Sequence, residues 1–360
     1  MYPLMTLEDK LRKLTKYKAE TYFSAFCCLQ RFGFLCLILV GLGSCNERGV
    51  SWFELQGNTM GTTYKIRLQA ANPNQIQNGI DSVLLLINTA LSTYDTNSYI
   101  SLFNKSTDGR VFWTGHPTAK QYFENVYASS VSCYESTNGA FNPAASTLFS
   151  LWGFAEEERS GLPDSTAVLE AMRSSNMTDL FYVNEHGVIL KRNPKANLNF
   201  NANAKGYGVD VVFDYLHHLG MKDFMIEIGG EVRAVGMNNN AQVWSIGINT
   251  PEADAAPDAF IKAVRLNDQA MATSGNYRRY FIFNNKKYSH TIDPSTGYPT
   301  ENDLMSVSII ARNCMEADAY ATACMVLGYE KSAKLISSLP DIKAYFVLEE
   351  KNGYQIIEVE

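Results

Sequence analysis

The sequence predicts an α+β fold, with mixed and antiparallel sheets against packed helices and one catalytic unit. Strand and helix segments intermingle without the strict βαβ alternation that a parallel sheet requires. Glycine-bearing turns join neighbouring strand segments, and neither an internal repeat nor a low-complexity linker divides the chain. At 360 residues, 46% hydrophobic and 19% charged, it has the composition of a folded body burying one large core or two smaller ones.

The elements begin behind a targeting segment. Lys10, Arg12, Lys13, Lys16, Lys18 and Arg31 precede the apolar run Phe32–Leu42. That run is too short for a hydrocarbon core, which needs ~20 residues, and it fits the apolar region of a secretory signal. Leu42-Gly43-Ser44-Cys45 follows and looks like the lipobox of bacterial lipoproteins. Residues 1–44 are therefore read as a lipoprotein signal peptide, Cys45 as the lipidated residue, 45–51 as a polar tether and 52–360 as the folded domain. A plain signal peptide or a short signal anchor is the alternative. Several acyl chains at ~0.8 kcal/mol per buried CH₂ make a stable membrane anchor. The expected location is thus the bacterial cell envelope, lipid-anchored and facing the periplasm.

The first 44 residues hold six Lys/Arg against three Asp/Glu, so the net charge of −6 becomes −9 without them. Such an acidic body offers no basic face, and no nucleic-acid partner is expected. Of seven cysteines, only Cys133, Cys314 and Cys324 lie in the domain, where buried thiols are expected rather than a disulfide framework.

Within the domain, Trp52–Leu68 reads as two strands joined by a turn at Met60-Gly61-Thr62-Thr63, the second alternating through Tyr64, Ile66 and Leu68. Helices are predicted over Ile76–Leu91, over Phe123–Thr137 (stopped by Asn138-Gly139) and over Ala167–Met177. Phe181–Leu190 reads as a hairpin turning at Glu185-His186-Gly187. The next helix has apolar positions Val209, Val212, Phe213, Leu216 and Leu219, and Gly220 ends it. Strands follow at Phe224–Ile228, Val243–Ile248, Ala263–Leu266, Arg279–Phe283 and Met305–Ile310, with Gly229-Gly230 after the first. Asn313 and Glu316 resemble a capping box on a helix ending at Gly328. A helix over Lys331–Ser338 and strands over Lys343–Leu348 and Tyr354–Val359 complete the domain.

Four segments carry possible chemistry. Asp318 and Thr322, four apart on the helix Met315–Leu327, share a face, and two hard oxygens so placed suit Mg²⁺. An Asp serving the helix dipole and a Thr bonding back to its own helix explain the same spacing. Ala202-Asn203-Ala204-Lys205-Gly206 runs into a helix whose free N–H groups, with Lys205 beside them, make an anion site; a tight turn with a surface lysine is the plainer reading. Met271–Tyr280, with Thr273, Ser274 and Gly275, suits a ligand loop or a hairpin turn at Ser274-Gly275-Asn276. His290 stands near Asp293 in a loop, as a base, a ligand contact or a structural residue. Neither Gly-x-Ser-x-Gly nor His-Glu-x-x-His occurs, and no Walker loop or Gly-x-Gly-x-x-Gly helix start is present.

Read together, the motifs resemble the ApbE family of FAD:protein FMN transferases. In family order they are Thr59-Met-Gly-Thr-Thr63, Leu91-Ser-Thr-Tyr-Asp95 with Ser98 and Asn104, Gly139-Ala-Phe-Asn-Pro143, and Leu151-Trp-Gly-Phe154. Ala204-Lys-Gly-Tyr207 with Asp210, Gly229-Gly-Glu231, Met271-Ala-Thr-Ser-Gly275, the His290 loop and Ala317-Asp-Ala-Tyr-Ala-Thr322 complete the set. The resemblance implies an ApbE-like flavin transferase fold. It implies Mg²⁺ on Asp318, Thr322 and the carbonyl of Ala204. It also implies FAD as substrate in a cleft formed by Met60, Tyr94, Ala140, Phe141, Lys205, Asp210, Thr273, Ser274, Gly275, His290 and Ile292.

The implied reaction moves FMN from FAD to a Thr or Ser hydroxyl and releases AMP. His290, Asp318 and Lys205 are the catalytic candidates, and the implied acceptor is a flavoprotein subunit of a membrane redox complex. Asn142, Asn199 and Asn203 depart from the usual residues, so the first two carry no base or metal role here. A FAD pyrophosphatase using the same site and a non-catalytic flavin-binding lipoprotein are the rival expectations.

Overall fold

The computed structural model describes residues 50–360 apart from 154–160, 253–255, 257–258, 277–279, 285 and 352. The predicted signal peptide, Cys45, most of the tether, Phe154 and the Tyr277-Arg278-Arg279 part of the Met271–Tyr280 segment lie outside the described residues.

Alternation of side chains builds the sheet. In Thr62–Ala70, Tyr64, Ile66, Leu68 and Ala70 are buried while Thr63, Arg67 and Gln69 are exposed, the period of a half-buried strand. Eight strands form one sheet whose spatial order is their chain order: Ser51–Thr59, Thr62–Ala70, Phe224–Ile228, Glu231–Val235, Gln269–Gly275, Leu304–Ala311, Lys343–Glu350 and Gly353–Val359. Every neighbouring pair is antiparallel. The remaining elements are insertions between consecutive strands, and they carry most of the polar chemistry.

The largest insertion lies between Ala70 and Phe224. It contains the helices Pro73–Leu91, Tyr99–Lys105, Pro117–Ser136, Ser146–Trp152, Ser165–Arg173 and Met177–Leu180, the hairpin Phe181–Val183/Ile189–Lys191, and the helix Ala204–His218. Ile80 and Leu84 of the first helix pack with Val209, Val212, Phe213 and Leu216 of the last against Ile66, Leu68, Ile226 and Ile228 of the sheet. The helix Cys314–Leu327 is buried nearly all round. Its Ala317, Ala319, Ala321 and Ala323 let it lie close to Ala272 of the sheet, and a helix apolar on every side belongs inside. Among the described residues, no helix is long and apolar enough to cross a membrane. Cys133, Cys314 and Cys324 are buried free thiols.

Two central strands were not expected. Gln269–Gly275 is rich in Ala, Ser and Gly, poor strand formers, yet it lies between Glu231–Val235 and Leu304–Ala311. Pairing on both edges and burial override that propensity. The hairpin turn expected at Ser274-Gly275-Asn276 does not form: Gly275 pairs with Ser306, and Asn276 N–H donates to the Met305 carbonyl. Glu231–Val235 was hidden behind the two glycines before it. The predicted helix Ala167–Met177 is two, because Asn176 caps a fresh start at Met177. Trp244–Asn249 and Phe260–Leu266 pair with each other outside the large sheet, as do Tyr280–Phe283 and Lys286–Ser289.

Candidate active site

Two helices begin at one place and close each other's ends. The first N–H groups of a helix lack acceptors within it. Cys314 N–H and Met315 N–H, opening the helix Cys314–Leu327, donate to Asp210 at 2.9 and 2.8 Å. In return Gly206 N–H, in the first turn of Ala204–His218, donates to Asp318 Oδ2 at 3.1 Å. Asp210 thus caps the helix carrying Asp318, and Asp318 caps the helix carrying Asp210. Gly206 permits the crossing, since a Cβ there would stand 2.3 Å from the Cys314 carbonyl oxygen.

Lys205 sits at this crossing. Its Nζ lies 3.2 Å from Glu231 Oε1 and 3.7 Å from Asp318 Oδ2. Burial opposes the charged ammonium, but Asp318 and Glu231 outweigh it and raise the lysine above its ordinary value. Glu231 is 3% exposed. Burial first, and Asp318 second, push its carboxyl up to about 8, against the pull of Lys205. Burial also raises Asp318, opposed by Lys205 and the Gly206 N–H. Arg233 Nη1 donates to Asp210 Oδ1 at 2.7 Å, and the guanidinium Cζ lies 3.6 Å over the Phe213 ring centroid. Burial raises Asp210, with Arg233 and the two helix N–H groups opposing.

Three buried carboxylates therefore face two cations, a net charge of −1 when all are ionised, with the exposed Asp268 besides them at 3.9 Å from Arg233. Glu231 Oε2 is buried without a partner among the described residues. In the absence of a cation, the proton held by the raised Glu231 answers that deficit; a divalent cation would do so in its place, so the donor set fits one. Asp318 and Thr322 share a helix face, and Ala204 is the first residue of the facing helix. Among the described residues no group of three or more His, Cys, Asp or Glu offers a metal cage. The residues that would hold a cation here offer one carboxylate with hydroxyl and carbonyl oxygens, a hard set of the kind Mg²⁺ takes.

The other expected residues divide. Met60 occupies the turn between the first two strands at φ 52, against Gly208 of the lysine helix. Thr273 Oγ1 meets Ser308 Oγ of the neighbouring strand at 2.7 Å, and Ser274 and Gly275 follow Thr273 on its own strand. Ala140 and Asp293 line an open cleft of about 410 Å³ with Thr137, Ser295, Lys331 and Lys334. Phe141 and Ile292 are only 1% exposed, so their side chains belong to the core. His290 is half-buried between Ser289 and Thr291, whose own hydrogen bonds fold the loop: Thr291 N–H donates to Ser289 Oγ, and Thr291 Oγ1–H to Asn276 Oδ1. Tyr94 is 89% exposed, outside this cluster.

Several motif residues are architectural. Ser98 caps the helix Tyr99–Lys105. Asn104 both donates to and accepts from Leu198, pinning the chain just ahead of the lysine turn. Trp152 Nε1–H donates to the Gly297 carbonyl at 2.7 Å and anchors the His290 loop. Asn142 and Asn199 accept from main-chain N–H groups two residues on, turn work that an amide does fully. Sequence reasoning missed Glu231 and Arg233 as site residues. The glycine pair before Glu231 was a usable signal, whereas Arg233 had none.

A helix-backed antiparallel sheet, with a lysine between buried carboxylates where two helices begin, defines an enzyme of the α+β class. Within that class, the chain belongs to the ApbE family, whose model matches residues 60–346. It is 33% identical to a FAD:protein FMN transferase of Vibrio cholerae over 88% of this chain and 93% of the relative. A FAD:protein FMN transferase of Haemophilus influenzae is 31% identical over 88% and 91%. Among solved structures, the flavin transferase ApbE from Vibrio cholerae superposes with a TM-score of 0.75 at 30% identity, covering 87% of this chain and 98% of that one. The apo form of the Pseudomonas stutzeri flavinyl transferase ApbE gives 0.74 at 28% identity, covering 86% and 95%.

Proposed function

We propose that this protein transfers FMN from FAD to a threonine or serine hydroxyl of an exported or membrane flavoprotein, releasing AMP with the help of Mg²⁺. The observation that carries the reading is the Lys205 ammonium held between buried Asp318 and Glu231 where two helices begin. Such a site binds a pyrophosphate once a divalent cation has offset its carboxylates.

Asp318, Thr322 and the Ala204 carbonyl would hold Mg²⁺, which when bound neutralises charge on the pyrophosphate oxygens. Lys205, whose ammonium lies at the helix start, orients the AMP phosphate. The acceptor oxygen attacks the phosphorus of the FMN half, the P–O bond to AMP breaks, and AMP leaves with that bridging oxygen. The acceptor proton passes to His290, whose half-buried ring serves as base. Positioning supplies most of the acceleration, as in other phosphoryl-type transfers. Met60, Ala140 and the Thr273–Gly275 strand line the FAD path in this reading.

The lipobox at Cys45 supports a lipid-anchored protein of the bacterial cell envelope facing the periplasm, and its acceptor is then a subunit of a membrane redox complex. Incubation of the purified protein with FAD, Mg²⁺ and an acceptor domain, read by intact mass, tests the proposal. A gain of one FMN on the acceptor, abolished by EDTA and by Asp318→Ala, is expected. Free FMN and AMP with an unmodified acceptor would replace transfer by hydrolysis.

A further inference from the structure

We propose that Glu231 is a positioning residue, which takes up the Lys205 ammonium so that Asp318 is left open to a divalent cation. The inference rests on the transferase reading and concerns the same site.

Glu231 opens its strand directly after Gly229 and Gly230, at φ 60 and 103. A Cβ on Gly229 would stand 3.2 Å from Lys205 Cδ and 2.8 Å from Thr62 Cγ2, so bare backbone lets the lysine stem pass here. The ammonium then reaches Glu231 at 3.2 Å, closer than Asp318 at 3.7 Å. Asp318 Oδ2 already accepts from Gly206 N–H. An ammonium and a divalent cation repel each other strongly in a buried site, so seating both on that carboxylate is costly. Glu231, with one oxygen on Lys205 and the other without a partner among the described residues, gives the displaced charge a place inside the site. The lysine therefore stays beside the pyrophosphate position while Asp318 changes partner. Without Glu231, Lys205 has only Asp318 of this carboxylate pair to neutralise it, and it competes with the cation.

The test is the affinity for Mg²⁺ without FAD, by titration calorimetry, in a double-mutant cycle. Glu231→Gln, nearly isosteric, should weaken Mg²⁺ binding ~10-fold, in the range found for residues that orient metal ligands. Glu231→Asp should recover part of the loss. Lys205→Met should bind Mg²⁺ at least as tightly as the wild type, and in that background Glu231→Gln should have little further effect. Lys205→Gln, which keeps a donor for both carboxylates, replaces Lys205→Met if the latter does not fold. An equal loss from Glu231→Gln with and without Lys205 would make Glu231 a direct ligand and overturn the inference. No loss in the wild-type background overturns it too. A wild-type protein that takes up no Mg²⁺ overturns the cation reading as well, so the two failures are distinct.

Discussion

Replacing Gly206 with alanine probes the helix crossing on which the site is built. The added Cβ would stand 2.3 Å from the Cys314 carbonyl oxygen, 2.7 Å from its carbon and 2.8 Å from Met315 Cα. Ordinary contact begins at 3.4 Å, so the helices must part by about 1 Å, and the obstacle is backbone that no rotamer change can move. Overpacking of this kind costs ~1–3 kcal/mol. Loss of the Gly206 N–H bond to the Asp318 carboxylate adds ~1.5–3 kcal/mol. Alanine's better helix propensity returns ~1 kcal/mol. The net loss of ~1.5–5 kcal/mol corresponds, at ~2 °C per kcal/mol for a body this large, to a melting point lower by ~3–10 °C. Displacing Asp318 and Lys205 by that distance should also slow FMN transfer ~100-fold. Gly208→Ala is the control, because its Cβ would meet only the mobile Met60 Sδ at 3.1 Å and Ile228 Cδ1 at 3.6 Å. Its melting point should stay within ~2 °C of the wild type. Scanning calorimetry and the intact-mass assay read both variants, and a Gly206→Ala protein with wild-type melting and rate would refute the reasoning.

Two further outcomes follow from the buried charges. Glu231 is raised from 4.5 to about 8, so the folded protein retains a proton that the unfolded chain gives up. That stability is complete below about 4.5 and is lost as pH rises through about 8. Melting in EDTA should therefore decline across this window, and Glu231→Gln should flatten the decline; a slope unchanged in the variant would assign it elsewhere. Arg233→Ala strips the buried Asp210 of its 2.7 Å partner and should cost ~3–5 kcal/mol in urea unfolding. Arg233→Lys should recover only part, lacking the flat stack on Phe213.

What was legible in the sequence is what periodicity controls. The strand pair around Met60-Gly61 and the helices Pro73–Leu91, Ala204–His218 and Cys314–Leu327 follow from apolar spacing and end signals. Gln269–Gly275 was not legible, because its strand state comes from two partners rather than from its Ala, Ser and Gly residues. Lys205 and Asp318 were found from residue type beside helix starts and from family motifs. Glu231 was quoted in a motif without a role, and Arg233 was passed over. Their parts are set by meetings across the fold, such as Arg233 with Asp210 or Glu231 with Lys205, to which local pattern is blind. Phe141 and Ile292 came from motif membership, and the fold adds that their side chains are packed at 1% exposure.

The exchange of caps between the two central helices ties the site's assembly to that of the whole domain. The bonds concerned join residues 104 to 112 positions apart, so neither helix start is completed by its own stretch of chain. Closing so long a loop is slow and entropically costly, which puts the catalytic cluster among the late events of folding. The same linkage runs backwards. Opening one helix end releases the other, so the cluster does not fray piecemeal like a surface loop but exchanges its amide protons with the core. A ligand bound there consequently tightens the entire body, and the protein's heat resistance rises with the ligand's supply.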